Sequence, residues 1–187
     1  MIVTIFNKKG GTGKTSLAFN LAKDLDFFLL SNDDSVIEDI YPEKARVMDK
    51  VEIIESQNIV YDLGGFIDPS ISTIFKGSDI VIIPTTLDVN SIKRTINTVM
   101  EIHAYTKDIV IVINRVQKAK LYKYKQSIEA LKGLGKDIIY IRETEAVPNS
   151  IHMGKSFTEL YNEGGLSKSH YKGIYEDYTK LLERITK

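Results

Sequence analysis

Cysteine is absent from this 187-residue chain, and histidine occurs only three times. Without thiols there can be no disulfide, no thiolate metal site and no cysteine nucleophile, which fits a reducing cytosol. Only a few apolar residues follow Met1 before Asn7, Lys8 and Lys9, so there is no secretory signal segment. No apolar run approaches the roughly 20 residues that span a bilayer. We therefore expect a cytoplasmic protein with no membrane partner.

An excess of one charge sign is also missing, since 25 basic residues balance 25 acidic residues. The balance hides an asymmetry along the chain. Residues 24–62 contain eleven acidic side chains and three basic ones, whereas residues 115–136 contain seven basic side chains and only Glu129 as an acid. A polyanionic partner would therefore have to contact the second stretch.

The chain does contain a series of short apolar runs rich in β-branched residues. These runs are residues 2–6, 27–30, 51–54, 58–63, 79–84, 108–114 and 137–141. They are nearly continuous in apolar residues, which is typical of strands covered on both faces. Segments with helical periodicity are residues 14–25, 89–105, 119–132 and 169–185. This order predicts an α/β fold with a mostly parallel, twisted sheet, helices on both faces, and one domain over residues 1–187.

The most informative stretch is residues 7–17, NKKGGTGKTSL, between the first predicted strand and the first predicted helix. A glycine-rich turn at this place lets backbone N–H groups and the helix N-terminus converge on phosphate oxygens. Lys14 is expected to reach the β- and γ-phosphates, and the Thr15 hydroxyl is expected to bind Mg²⁺. The predicted nucleotide-binding residues in this stretch are Gly10, Gly11, Thr12, Gly13, Lys14, Thr15 and Ser16.

One departure from the usual phosphate-binding motif lies six residues before Lys14, where Lys8 replaces a glycine and is followed by Lys9. This arrangement resembles the deviant P-loop of the ParA/MinD family of ATPases, K-G-G-x-G-K-T. The resemblance extends through GKTSLAFNLA, NIVYDLGG, DIVIIPTTLD, IVINRV and AVPNSIHMGKSFTEL. It implies a P-loop NTPase fold, binding of ATP or ADP with Mg²⁺, an ATP-bound sandwich dimer, and slow hydrolysis stimulated by a partner.

The resemblance also implies roles for individual residues. Lys9 would cross to the nucleotide of the partner protomer, where it would add positive charge to the transition state. Asp62, at the end of a predicted strand, would hold a Mg²⁺-bound water. Asp33 would orient the attacking water and contact the metal ion through water. The predicted catalytic residues are therefore Lys9, Lys14, Asp33 and Asp62, and Lys9 is also expected to bind nucleotide.

The base side of the site is assigned by the same resemblance. Asn114 and Arg115 resemble the family's adenine-side asparagine and its basic neighbour, and the loop around Pro148 would complete the base pocket. The first of the family's two switch I aspartates is replaced by Ser31, which leaves the rate of hydrolysis open. Asp34 is interpreted as an ordinary loop acid.

The predicted helix over residues 119–132 has an outer stripe of basic residues opposite its apolar residues. ParA-like proteins bind DNA without sequence specificity in their ATP-bound state, so this stripe is a candidate contact for phosphates. A solvated lysine face is the alternative. The candidate DNA-binding residues are Lys118, Lys120, Lys123 and Lys125. The C-terminal helix is amphipathic, but acidic residues share its polar face, which favours packing on the core over binding to a membrane.

These features together predict a short ParA-like ATPase that drives plasmid or chromosome partition or positions another cargo. Its expected partners are a second copy of the chain in the ATP state, non-specific DNA, and a ParB-like or other stimulating adaptor protein. Two alternatives remain open. A small-molecule enzyme on the same fold would resemble dethiobiotin synthetase, although Lys9 and the basic stripe argue against it. A scaffold that binds nucleotide with little hydrolysis would be consistent with Ser31.

Overall fold

The computed structural model describes residues 1–33, 35–51, 58–65, 67 and 69–187 of the chain. Within these residues, strands and helices alternate around one sheet. In chain order the elements are β1 (Ile2–Phe6), α1 (Lys14–Leu25), β2 (Phe28–Ser31), α2 (Ile37–Ile40), β3 (Ala45–Val47), β4 (Ile59–Leu63), α3 (Pro69–Gly77), β5 (Ile80–Thr85), α4 (Val89–Ile102), β6 (Ile109–Val116), a 3₁₀ helix (Lys118–Tyr124), α5 (Lys125–Lys132), β7 (Asp137–Arg142), α6 (Ala146–Met153), α7 (Phe157–Asn162) and α8 (Gly165–Ile185).

The seven described strands pair in parallel, in the order β3-β2-β4-β1-β5-β6-β7. Successive side chains of a strand point to opposite faces, so each central strand contributes to two cores. In β4, for example, Val60 packs in the core with α1, α7 and α8, whereas Ile59 and Tyr61 pack in the core with α3, α4 and α5. The predicted α/β fold, with helices on both faces of a parallel sheet, is confirmed.

Several element boundaries differ from those expected. Most of the predicted strand at 51–54 lies outside the described residues, and Val51 itself is not in a strand. The strand that pairs with the outer side of β2 is β3, which is too short to produce a periodic signal. The segment around Pro148 is not a loop but the helix α6. Proline fits there because it lies in the first turn, where a helix needs no N–H donor.

The predicted helix over 119–132 is divided into the 3₁₀ helix and α5. Side chains three residues apart are eclipsed in a 3₁₀ helix. Lys118 therefore shares its face with half-buried Leu121, and Lys120 aligns with Lys123. All four predicted DNA-binding lysines are exposed, but the prediction that the basic residues follow one α-helical stripe is wrong.

The last helix, α8, is amphipathic, and its apolar side faces the sheet. Tyr171, Ile174, Tyr178 and Leu181 are buried in the same core as α1 and α7. The predicted packing of the C-terminal helix on the core is confirmed. Among the described residues, no helix combines the length and the apolar composition needed to cross a bilayer.

A charged pair attaches α8 to β7. The Asp177 side chain is only 6% exposed, and its oxygens accept hydrogen bonds from Arg142 Nε at 2.6 Å, Arg142 Nη2 at 3.1 Å and the Arg142 backbone N–H at 3.3 Å. Burial alone would raise the pKa of Asp177, but the hydrogen bonds and charge of Arg142 outweigh burial and hold that pKa below its ordinary value. The helix can approach β7 closely because residue 173 is a glycine. A Cβ atom at this position would lie only 2.1 Å from Arg142 Nη1 and would collide with the guanidinium.

We expect Asp177→Asn to lower the free energy of unfolding at pH 7 by about 1–3 kcal/mol, because it removes a charge-assisted pair with little exposure. A carboxyl group whose pKa is depressed by folding stabilises the fold above its unfolded pKa and loses this effect as the pH falls. The difference between variant and parent should therefore shrink below about pH 4. Urea unfolding across a pH series measures it. Glu176→Gln, at the exposed neighbouring position, is the matched control, and an equal loss in both variants would contradict the role of the pair.

Candidate functional site

The predicted site residues follow the carboxyl ends of neighbouring parallel strands, which meet at one edge of the sheet. The glycine-rich loop follows β1, Asp33 follows β2, and Asn114 lies near the end of β6. Asp62, in β4, is in register with Ile5 of β1 on one side and Ser31 of β2 on the other. The sheet order therefore places β1 and β2 on either side of the Asp62 strand.

The glycine-rich loop leads directly into α1. Gly11 and Gly13 have φ values of 74° and 89°, in the left-handed region that only glycine adopts readily. Gly13 is the residue before the helix, and no side chain caps the first turn there. A Cβ atom on Gly13 would lie 2.8 Å from Asn114 Nδ2, so a side chain would collide with β6. The first N–H groups of α1 are thus left available to an anion.

Four predicted residues meet beside this loop. The Lys14 side chain is 9% exposed, and its Nζ lies 3.9 Å from Asp33 Oδ2. The Thr15 hydroxyl is near enough to the Asp62 carboxylate to lower its pKa. One ammonium, one hydroxyl and two carboxylates therefore surround the position where a terminal phosphate and its cation would lie.

Asp62 is fully buried, and its Oδ1 has no hydrogen-bond partner among the described residues. Burial raises the pKa of Asp62 to about 6, against the opposing effects of the nearby Thr15 hydroxyl and the Lys14 charge. An unpaired, buried carboxylate oxygen next to a hydroxyl matches the oxygen ligands that Mg²⁺ prefers. The described residues contain no cluster of three acidic or histidine side chains, so a cation here would also need water and phosphate ligands.

Ser31 occupies the buried position next to Asp62. Its Oγ lies 3.5 Å from Asp62 Oδ2 and accepts a hydrogen bond from the Asp33 backbone N–H at 3.1 Å. An aspartate at residue 31 would put two carboxylates on adjacent strands with little solvent, which is unfavourable. The serine instead connects Asp62 to the segment that contains Asp33.

Asn32 was not predicted to take part in the site. Its Nδ2 donates to the Gly64 carbonyl at 3.1 Å, and its Oδ1 accepts from the Gly64 N–H at 2.9 Å. Asp33 then packs on Gly64, since a Cβ atom there would lie 2.8 Å from Asp33 Oδ2. The segment after β2 is in this way attached to the turn after β4. Nothing in the sequence around Asn32 indicates this long-range pair.

Asn7 was also missed. It is fully buried, and its Oδ1 accepts from the Lys9 backbone N–H at 2.9 Å. Its Nδ2 donates to the Pro84 carbonyl at 2.8 Å and to Thr95 Oγ1 at 3.2 Å. Asn7 therefore connects the start of the glycine-rich loop to the end of β5 and to α4. The sequence signal that could have identified Asn7 is its position as a polar residue directly after a buried strand.

The two lysines at the start of the loop differ in their surroundings. Lys8 forms an ion pair with Glu101 at the end of α4. Lys9 remains partly exposed, and its charge acts on Asp88, the residue that caps α4. Burial would raise the pKa of Asp88, but hydrogen bonds from Ser91 and Thr86 and the charge of Lys9 lower that pKa to about 2. Among the described residues, Lys9 thus has no ion-pair partner of the kind that Lys8 has.

A cavity of about 1070 Å³ adjoins the loop. Gly13, Ser16, Asn114, Arg115 and Pro148 all line it, so the three residues assigned to the base side lie together with part of the loop. Asn114 Nδ2 donates to the Thr12 carbonyl at 2.7 Å. Its neighbour Arg115 is held at a φ of 56°, a conformation that is costly for a residue other than glycine and is often found at functional sites.

Comparison with protein-family models gives a match over residues 3–157 to the CobQ/CobB/MinD/ParA nucleotide binding domain. The chain belongs to this family. Its glycine-rich loop, the Asp62 strand and the cavity all lie within the matched residues. The resemblance to the ParA/MinD ATPases inferred from the sequence is therefore confirmed. Comparison with curated proteins gives no significant match.

Solved structures with the same fold cover almost the whole chain. A structure described as a plasmid partition protein from Borrelia burgdorferi bound to AMPPNP has a TM-score of 0.69 and 20% identity over 98% of both chains. The MinD cell division protein of Aquifex aeolicus has a TM-score of 0.66 and 14% identity over 97% of both chains. MinD of Pyrococcus horikoshii with Mg-ADP has a TM-score of 0.59 and 14% identity, over 97% of this chain and 96% of that one. At these identities the likeness shows the fold alone.

Proposed function

We propose that residues 1–187 form one ATPase domain that binds ATP or ADP with Mg²⁺, dimerises around ATP and hydrolyses it slowly. The observation that supports this most is the convergence of Lys14, Thr15 and Asp62 at a glycine-rich loop that contains Lys9. Two fold neighbours are described with AMPPNP and with Mg-ADP. We propose the same ligand class here.

Each residue has a distinct part in this proposal. The backbone N–H groups from Lys9 to Ser16 and the Lys14 ammonium bind the phosphates. Thr15 would hold Mg²⁺ through its hydroxyl, and Asp62 and Asp33 would hold it through water; the bound ion would neutralise charge on the phosphates. Asp33 also orients the attacking water.

The transition state gains negative charge on the transferred phosphate. Lys9 of the second protomer supplies positive charge at that point. Since no carboxylate in the described part of the chain forms an ion pair with it, its ammonium can reach across an interface.

The cavity beside the loop is proposed to hold the nucleoside. Arg115 and Pro148 form its walls, together with Asn114. Because Asn114 Nδ2 already donates to the Thr12 carbonyl, the same asparagine positions the loop and borders the base. The apolar side chains of α6 would contact the face of the base, as in many small-molecule sites.

The biological role that we propose is partition of DNA or positioning of another cargo in the cytoplasm. It would require a homodimer in the ATP state, non-specific DNA, and a ParB-like or other adaptor that stimulates hydrolysis. ATP turnover measured with and without duplex DNA tests this role. A DNA-stimulated rate is expected. Turnover that depends on a metabolite would instead indicate an enzyme like dethiobiotin synthetase.

A second candidate function is a scaffold that binds nucleotide with almost no hydrolysis. The observation that favours it is Ser31, which stands beside Asp62 where the family has a carboxylate. Tight ATP binding without measurable phosphate release, with and without DNA, would support the scaffold over the ATPase.

If the exposed lysines after β6 bind DNA, they contact phosphates rather than bases. The affinity should then be independent of the DNA sequence. The slope of the logarithm of the binding constant against the logarithm of the salt concentration should become less steep by roughly 0.9 for each phosphate contact removed. We expect Lys118→Glu combined with Lys125→Glu to weaken DNA binding without changing ATP affinity. Binding should require the ATP dimer, which presents two copies of the surface to one duplex.

Fluorescence anisotropy of labelled duplexes of unrelated sequence, in ADP and in ATP, measures this effect. Lys168→Glu combined with Lys172→Glu, on exposed positions of α8, is the control for net charge. Equal DNA affinity of the parent and the Lys118/Lys125 variant would mean that these lysines form only a solvated face.

A further inference from the structure

β7 forms one edge of the sheet, and β6 is its only strand neighbour among the described residues. An edge strand presents N–H and C=O groups that have no strand partner. The Arg142 N–H points to this open edge, because it donates to the Asp177 carboxylate of α8 at 3.3 Å. The Glu143 N–H points the other way and donates to the Val116 carbonyl of β6 at 3.1 Å.

Backbone groups alternate in direction along a strand. The N–H and C=O groups of Ile138 and Tyr140 therefore point to the same open edge as the Arg142 N–H. Asp177 occupies this edge at its Arg142 end. The edge can therefore donate to an oxygen acceptor. Within the described part of the chain, no group outside the sheet hydrogen-bonds to the backbone of Ile138 or Tyr140, so that part of the edge is open to another chain.

A groove with a cavity volume of about 390 Å³ runs along this edge, between the 3₁₀ helix and α8. Besides the buried Val116, its apolar floor includes four side chains, Leu121 from the 3₁₀ helix and Ile138, Ile139 and Tyr140 from β7. All four are partly exposed. Because side chains from both faces of the sheet take part, the groove includes the strand edge itself and is not confined to one face.

The charge around the groove is positive. Lys118 and Lys180 lie on its two rims, and the Lys180 side chain is 66% exposed. The acid that lines the groove, Asp177, is paired with Arg142 and also lies 3.9 Å from Lys180 Nζ, so the lining has three cations against one acid. The 3₁₀ helix and α5 on one rim belong to the stretch with seven basic residues and one acid. A peptide that carries acidic side chains would meet opposite charge along both rims.

We propose that this groove binds an extended acidic segment of a partner protein, which adds to the sheet as a strand beside β7. The backbone groups of Ile138 and Tyr140 pair with its main chain, the apolar floor receives its alternate side chains, and Lys118 and Lys180 pair with its carboxylates. Duplex DNA would use the cations but neither the strand edge nor the apolar floor.

A second copy of this chain fits the groove less well. Among the described residues, the sheet of a second copy has two edges. Pairing β7 with β7 would bring two sets of basic rims together, and β3 has the exposed Arg46 at its centre. Docking β3 beside β7 would bring this arginine close to Lys118 and Lys180, and like charges would repel. The groove also shares Arg142 with the nucleotide cavity, so a bound partner would lie next to the site without entering it.

The proposal goes beyond the ATPase role and does not depend on it, so the full-length protein is tested without nucleotide. The probe is a short fluorescein-labelled peptide of alternating glutamate and valine, followed by anisotropy. We expect Lys180→Glu to weaken peptide binding at least about fivefold, because the variant loses the ion pair between Lys180 and a peptide carboxylate. The matched control is Lys172→Glu on the same helix, since Lys172 is 65% exposed and lies outside the groove lining.

A peptide with proline at the central valines, which cannot donate N–H groups, should bind more weakly.

Hydrogen exchange with the parent peptide should slow at the Ile138 and Tyr140 amides, while thermal unfolding confirms that both variants are folded. Equal affinities for Lys180→Glu and Lys172→Glu, equal affinities for the valine and proline peptides, or no binding of the probe would each overturn the proposal. If duplex DNA, and not the peptide, slowed the exchange of these amides, the surface would be assigned to DNA. Concentration-dependent self-association with the same protection would assign it to a second copy.

Discussion

Replacing Lys14 with alanine or glutamine is expected to abolish nucleotide binding. The Lys14 ammonium is nearly buried, lies 3.9 Å from the Asp33 carboxylate and follows the left-handed Gly13. It is therefore held where phosphates would bind, and no other lysine of the loop is so enclosed. Loss of charge-assisted hydrogen bonds to phosphate should lower ATP affinity at least about 100-fold. Titration with a fluorescent ATP analogue and calorimetry measure the effect.

The matched control for this prediction is Lys8→Ala. Lys8 belongs to the same loop but pairs with Glu101, away from the proposed phosphates. This variant should keep the ATP affinity of the parent. If Lys14→Ala also kept it while remaining folded, the assignment of the loop as a phosphate site would be wrong.

Replacing Lys9 with alanine is expected to separate binding from hydrolysis. The backbone N–H of Lys9 is held by Asn7 Oδ1, so the loop should keep its conformation when the side chain is shortened. ADP affinity of the monomer should change by no more than about twofold, since the side chain acts on the other protomer's nucleotide. Dimerisation with ATP should be lost, and turnover should fall about 100-fold or more, as when an electrostatic transition-state contact is removed.

Light scattering in ATP and in ADP, together with a phosphate-release assay, tests this result. Lys8→Ala again serves as the control and should dimerise like the parent. An intact ATP dimer of Lys9→Ala with unchanged turnover would refute the cross-subunit role. A dimer without turnover would restrict Lys9 to the transition state.

Much of the candidate site could be predicted from the sequence because its residues are close together in the chain. The glycines, Lys14 and Thr15 lie between an apolar run and a periodic helix, and this local order is enough to indicate a phosphate-binding loop. Asp62 was predictable because an acid at the end of a buried apolar strand must reach the carboxyl edge of a parallel sheet. Their roles in binding and hydrolysis remain predictions.

Other features could not be predicted because they depend on contacts between distant residues. Asn7 donates to Pro84, and Asn32 forms two hydrogen bonds with Gly64; such long-range contacts leave no periodic pattern in the sequence. The change from 3₁₀ to α-helix at Lys125 was missed since both conformations suit the same residues. β3 was missed because three residues are too few to show a period.

By itself, the sequence determined the alternation of strands and helices, the glycine-rich loop with its lysines, and the acidic stretch 24–62 and basic stretch 115–136 of a neutral chain. These properties follow from residue type and spacing alone. Only the tertiary structure decided the order of the strands, which places Ser31 beside Asp62 and leaves β7 at an edge. It also decided that Arg142 borders both the edge groove and the cavity that we propose for the nucleoside. Strand order results from the packing of whole faces and from long-range pairing, and residues far apart in the chain become neighbours only when that packing is complete.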